Sequence, residues 1–318
     1  MSKLSHKQLI DKLVKENYVL TDFTLTNIGT YTKEDSDWNY KDVPHLNIIH
    51  KNVSCFQAIV GDDFVGSINF LKLPFVNITL PLIFVNYEYK PMSQIYISSF
   101  GPLIIIVETS SKTDSGRTIV NTNFSILSRK LFKFLHFFVK KMIIKNNEVL
   151  MSEDIPMRDR RAELRTANHD FYNPANTYSF KFTEEIYRAN LFIKNKEPYI
   201  DIPLKKIQEC KDGDKIGDDE GIFSFFVTEK NGLKMLWPTT CPHEGAKMDK
   251  NCISNKRLLC PWHHRRIDRV LEYGSNGIKY IPSIDFCCID NVSNIRIYYR
   301  NNPEYYDTRP YEIFKKNI

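Results

Sequence analysis

Hydrophobic and polar positions alternate with two different periods along the chain. Residues 5–20 place Leu9, Ile10, Leu13 and Val14 on one helical face with lysines opposite, which predicts a packing helix. From Ser54 to Ile126 the apolar positions instead form short β-like runs: Cys55–Val60, Phe64–Phe70, Asn77–Tyr87, Gln94–Glu108 and Thr118–Phe124. Turn signals at Gly61-Asp62-Asp63, Lys90-Pro91 and Asp114-Ser115-Gly116 separate them, so the region reads as an antiparallel meander. The period then changes. Phe124, Leu127, Leu131, Leu135, Phe138 and Met142 recur every three or four residues, with Arg129, Lys130, Lys133, Lys140 and Lys141 largely elsewhere. This predicts a long helix whose apolar face covers the curved sheet; its basic character also suits a membrane surface.

Residues 166–200 are mixed and polar, with breakers at Asn173-Pro174 and Glu197-Pro198, and read as a linker. Beyond it, Ile200–Leu204, Phe223–Thr228, Lys234–Leu236, Ile278–Pro282 and Ile295–Tyr299 read as strands, the second and third joined by a turn at Glu229–Gly232. The Tyr-rich tail from 298 to 318 is expected to pack back onto the first domain. The fold class is therefore α+β, with domains at 1–195 and 196–318. The 318-residue length allows each domain its own core.

The chemistry concentrates in two stretches. Cys241-Pro242-His243-Glu244-Gly245-Ala246 and Cys260-Pro261-Trp262-His263 give C-x-H, sixteen intervening residues, then C-x-x-H. Mixed Cys-His pairs are what a Rieske [2Fe–2S] centre requires: one iron takes both cysteines and the other both histidines. A Cys₂His₂ zinc site is the bland alternative, but zinc fingers pair Cys with Cys and His with His along the chain. The second stretch is Asn39-x-x-Asp42-x-x-His45-x-x-x-x-His50. On an ideal helix a five-residue step leaves two side chains about 140° apart, so His45 and His50 converge only if the backbone breaks between them. Pro44 supplies a reason for irregular backbone there.

These motifs resemble those of the Rieske oxygenases. Ala246 and Trp262 stand where the respiratory-complex proteins carry an extra disulfide pair, and His264 departs from the family's usual Gly, as Ile267 does from a common aromatic. The resemblance implies that Cys241, His243, Cys260 and His263 hold the cluster, and that His45 and His50 bind a mononuclear Fe(II). The third ligand is implied to be a carboxylate in the acidic segment Glu153-Asp154, with Asp154 preferred and Asp159 in reserve. Asp42 is implied to bridge the two metal sites, and reduction to occur at an exposed histidine edge of the cluster. The first domain is implied to be a START-like helix-grip domain and the second a mainly β Rieske domain. That order is the reverse of the family's usual one, and the segment from His50 to Asp154 is shorter than usual.

The activity so implied is oxidation of an apolar organic substrate by O2, through hydroxylation, demethylation or desaturation. Electrons would come from a ferredoxin or an NAD(P)H-dependent reductase, and a homo-oligomer is implied as well. A rival reading keeps the cluster as an electron carrier or redox sensor beside a ligand-binding START-like domain, with no mononuclear iron chemistry. The neighbouring Arg158, Arg160, Arg161 and Arg165 read as a solvated face. Hydrophobic residues make up 42% and charged residues 26%, the balance of an ordinary globular protein. The net charge of +6 is not gathered into a nucleic-acid arm. Apolar runs such as Leu103–Val107 and Phe137–Val139 are far too short for a transmembrane segment, no signal core opens the chain, and a thiolate-held cluster suits a reducing compartment; the expectation is a cytoplasmic protein.

Overall fold

The computed structural model describes residues 3–60, 64–72, 78–171, 191–194, 199–218, 223–255, 257–281, 283, 285–291 and 293–299. Among these, one compact unit runs to Ala162 and a second begins at Glu163. The second unit thus starts ahead of residue 196, because Leu164, Phe171 and Leu191 belong to its apolar core.

The first unit opens with helix α1 (His6–Lys15), started by a reciprocal Ser5–Gln8 capping box. The helix stops short of residue 20. Asn17 takes the left-handed conformation at φ 62° and turns the chain into a strand absent from the sequence reading, β1 (Tyr18–Gly29). Helix α2 (Lys33–Lys41) follows, capped by Thr32. Then come β2 (Val53–Val60), β3 (Phe64–Lys72), β4 (Thr79–Lys90), β5 (Ser93–Phe100), β6 (Leu103–Asp114) and β7 (Arg117–Arg129). They form one antiparallel sheet in the order β1-β7-β6-β5-β4-β3-β2. The run Gln94–Glu108 divides into two strands at Gly101, whose φ of 56° makes the turn.

The long helix α3 (Leu135–Thr166) completes the sheet-and-helix arrangement that the sequence predicts. It begins eleven residues later than Phe124, since β7 extends to Arg129. Phe124 and Leu127 are strand residues, and Leu131 and Phe138 face solvent rather than the sheet. Leu135, Val139, Met142 and Ile143 of α3 pack with Leu103, Ile105 and Ile126, while α1 lays Leu9, Ile10 and Leu13 against Ile95, Ile106 and Leu127. Successive residues Ile126 and Leu127 therefore point into two different cores, one on each face of the sheet.

The second unit is mainly β, as expected. Its elements are β8 (His169–Phe171), β9 (Leu191–Ile193), β10 (Tyr199–Pro203), α4 (Leu204–Glu209), β11 (Lys215–Gly217), β12 (Ser224–Lys230) and β13 (Leu233–Pro238). They continue with β14 (Ile253–Ser254), β15 (Arg257–Leu259), β16 (Arg266–Ile267), β17 (Leu271–Gly274), β18 (Gly277–Tyr280), β19 (Phe286–Asn291) and β20 (Asn294–Tyr299). A five-stranded sheet β11-β12-β13-β17-β18 and a three-stranded sheet β14-β15-β16 supply the two loops that matter chemically. A further sheet, β10-β20-β19, shares the core of the five-stranded sheet, where Phe286 packs its ring against Phe225 and Tyr299 at 5.8 and 5.7 Å. Most of the tail from 298 to 318 and much of the linker lie outside the described residues. No helix among the described residues is long and apolar enough to cross a membrane.

Candidate metal centres

In the first unit, α2 ends at Lys41, Asp42 caps it, and a single 3-10 turn, Val43–Asn47, carries Pro44 in its first positions. This is the break that a five-residue histidine pair requires. His45 Nε2 and His50 Nε2 lie 3.1 Å apart, and each stands 3.5 Å from Oδ1 of Asp154. His45, His50 and Asp154 are all buried, and one ligand atom from each falls within 4.8 Å of the others. Asp159 is not among the donors brought together.

The donor set fits a divalent transition metal. Ligands held about 2.1 Å from an ion and meeting at right angles lie about 3.0 Å from one another, close to the separations observed. Two imidazoles and one carboxylate on one side of an ion form the facial triad of non-haem iron sites. The outer nitrogens are oriented as ligation requires. His50 Nδ1 lies 2.9 Å from Glu153 Oε2, so that nitrogen carries the proton and Nε2 turns its lone pair inward. His45 Nδ1 faces Asp42 Oδ2 at 3.4 Å.

The charges of these groups are coupled to one another. Burial disfavours a charged His45 ring, but hydrogen bonding to Asp154 and Asp42 outweighs it and holds the pKa up at about 10. Burial pushes His50 down, even with Asp154 beside it. Burial would raise Asp154, yet His45 and Arg158 keep its carboxyl below the usual range.

Arg158 and Arg161 are wholly buried and Arg160 nearly so, contrary to the solvated face read from sequence. The reason is a set of partners on α2 and in the turn that leads into it. Arg158 donates through Nε and Nη2 to Asn39 Oδ1 at 3.1 and 2.7 Å, and its guanidinium lies over the Tyr40 and Tyr31 rings. Asn39 in turn donates to Asp154 Oδ1 at 3.4 Å. Arg161 binds Asp35 at 2.8 Å and stacks on Trp38. Sequence reasoning missed Arg158 and Glu153 as supports; their signal was spacing, one turn after Asp154 and directly before it.

In the second unit the Cys241 loop follows β13 and the Cys260 loop joins β15 to β16. Both close in the same way. Cys241 N–H donates to Ala246 O and Gly245 N–H to Cys241 O, at 2.8 and 2.9 Å. Cys260 N–H donates to Arg265 O and His264 N–H to Cys260 O, at 2.9 and 2.8 Å. The loops bring His243 Nδ1 and His263 Nδ1 to 3.3 Å, with their rings edge to face.

Cys241 and Cys260 are fully buried and hydrogen-bonded to each other. Burial raises both thiols; the bond to Cys260 and the Arg265 charge bring Cys241 down to about 7, while Cys260 stays high. The two imidazole Nδ1 atoms thus meet as one pair and the two thiols as another, the pairing that the two irons of a Rieske cluster call for. The histidine edge is not exposed as expected: His243 and His263 are 3% and 5% accessible, with Glu244 Oε1 at 3.7 Å from His243 Nε2. Arg265 anchors the second loop through a buried two-bonded pair with Asp285, at 2.9 and 2.7 Å.

Residues 203–283 match the protein family described as Rieske [2Fe-2S] domain, which implies a [2Fe–2S] cluster and a role in electron transfer. No curated protein matches the chain. Among solved structures, the di-domain ARO/CYC BexL from the BE-7585A biosynthetic pathway is 11% identical, with a TM-score of 0.41 over 48% of this chain and 54% of that one. The di-domain ARO/CYC StfQ from the steffimycin biosynthetic pathway is 6% identical, with a TM-score of 0.41 over 50% and 60%. The Zhui aromatase/cyclase from Streptomyces sp. R1128 is 9% identical, with a TM-score of 0.38 over 45% and 96%. The chain thus spans only 54% and 60% of the length of the two di-domain proteins.

Proposed function

We propose that this chain is a Rieske-type oxygenase in which His45, His50 and Asp154 hold a mononuclear Fe(II) and Cys241, His243, Cys260 and His263 hold the [2Fe–2S] cluster. The observation that carries the reading is the buried convergence of two imidazoles and one carboxylate in a chain that also contains a Rieske domain. When bound, the cluster supplies one-electron transfer and the ferrous ion supplies open positions for dioxygen.

The chain's own residues set the rest. Glu153 fixes the His50 tautomer, and Asn39 and Arg158 hold the Asp154 carboxylate in place. Asp42, beside His45 Nδ1, orients that ring and is the residue we assign as the bridge for electrons. Burial of all three donors excludes bulk water. The substrate is an apolar organic molecule, oxidised by hydroxylation, demethylation or desaturation. A ferredoxin or NAD(P)H-dependent reductase supplies the electrons in a reducing, cytoplasmic compartment.

The test is iron and acid-labile sulfide per chain, on protein purified without air and then reconstituted. About three irons to two sulfides, falling to about two to two in His45→Ala/His50→Ala, supports the oxygenase. A two-to-two ratio in the parent, unchanged by those substitutions, makes the chain an electron carrier or sensor and overturns the proposal.

A further inference from the structure

The segment from the end of β7 into the first turn of α3 exposes apolar side chains that ordinary packing does not explain. Leu131, Phe134, Phe137 and Phe138 are 60–77% accessible, within eight residues. They project from the outer side of the segment, while Leu135, Val139, Met142 and Ile143 take the side against the sheet. Phe137 and Phe138 meet edge to face at 5.6 Å, so the rings form a joined patch rather than isolated exposures.

The charge beside the four apolar side chains is basic, with Lys145 at its far end paired to Glu148 at 3.4 Å. Arg129, Lys130, Lys133, Lys140, Lys141 and Lys145 lie between 129 and 147, and the sequence holds no acid in that interval. Lys141 reaches over the Phe137 ring with Nζ 4.4 Å from its centroid. Arg129, Lys130, Lys133, Lys141 and Lys145 are exposed.

We infer that this segment docks the protein on an anionic phospholipid bilayer, with Leu131, Phe134, Phe137 and Phe138 entering the headgroup region and the lysines pairing with lipid charge. Side chains that protrude suit a soft surface they can enter. Each nearby lysine or arginine adds to attraction by an anionic leaflet. An acidic protein partner would engage the lysines and leave the four protruding apolar groups unused. The inference does not depend on the oxygenase reading, since it uses none of the metal-site residues.

The test is co-sedimentation of the full chain with phosphatidylcholine vesicles, with and without about one third phosphatidylserine. The expected result is binding to the anionic vesicles only, weakening as salt rises. Lys130→Glu/Lys133→Glu/Lys141→Glu reduces it by about tenfold or more. Phe134→Ser/Phe138→Ser also weakens it, with melting temperature and cluster sulfide unchanged, and a Phe134→Trp probe is quenched by brominated lipid. Lys205→Glu, on the exposed helix α4, leaves binding as it was. Absence of vesicle binding, equal losses from Lys205→Glu, or capture of polyglutamate without capture of vesicles each overturns the inference.

Discussion

Gly245 and His264 occupy equivalent corners of the two Cys-His loops. Each is the fourth residue after a cysteine, Cys241 or Cys260, and each returns its backbone N–H to that cysteine's carbonyl. Each also has positive φ, 85° and 50° respectively. Only the first corner carries the residue that adopts this conformation without strain. His264→Gly is therefore expected to stabilise the cluster-loaded protein by about 1 kcal/mol, read from denaturant unfolding. Gly245→Ala must lose stability and cluster, because its Cβ would stand 2.3 Å from Leu164 Cδ1 in an unfavourable conformation. Equal responses at the two corners would refute the equivalence.

The same corners explain how much of the site was legible. The Cys-His spacing speaks through local loop geometry, and Pro44 announced the break that lets His45 and His50 meet. Asp154 was legible only through the resemblance, since it reaches the histidines by a fold-level path along α3. Arg158 and Arg161 were misread because a helix face dense in arginine has the composition of a solvated surface; their partners Asn39 and Asp35 lie more than a hundred residues earlier. The end of β7 read as helix for a related reason. Ile126 faces one core and Leu127 another, so a strand covered on both sides loses its alternation. In β1 the stretch Thr24-Leu25-Thr26-Asn27 carries too few apolar residues to show as a strand without its β7 partners.

The Arg265–Asp285 pair is expected to govern the second loop. Both side chains are almost wholly buried and joined by two hydrogen bonds. Asp285→Ala leaves a guanidinium without its counter-charge and should cost about 3–5 kcal/mol, measured by denaturant unfolding. The double variant Arg265→Met/Asp285→Leu should recover much of that loss. A double variant as unstable as the single one would mean that the pair does more than neutralise charge.

Glu153 is expected to act on metal affinity through His50, which it meets at 2.9 Å. Glu153→Ala should weaken Co(II) binding, followed by the cobalt d–d spectrum, by about 10- to 100-fold. Glu153→Gln keeps an oxygen that accepts the Nδ1 proton and should recover most of the affinity. If the glutamine variant binds as weakly as the alanine one, the carboxylate charge matters rather than the orientation of the ring.

Acid sensitivity should carry a contribution from Asp170 at the start of the second unit. Burial by itself would raise its carboxyl; hydrogen bonds from Lys194 and the Phe171 N–H, with the Arg165 charge, outweigh that and hold the pKa below its ordinary value. A carboxylate depressed on folding adds stability that is fully present above the unfolded pKa of about 3.9. That stability drains away as pH falls from there through the folded value, because the unfolded chain takes up the proton first. The cations stay charged throughout, so the loss belongs to Asp170 alone. Asp170→Asn should be less stable than the parent at pH 7 by about 1 kcal/mol, a value limited by the partial exposure of the group. The gap should close as pH drops below about 4, read from urea midpoints of both proteins across that range. A gap that stays constant down to low pH would mean that asparagine disturbs the β8 packing instead of removing a titrating charge.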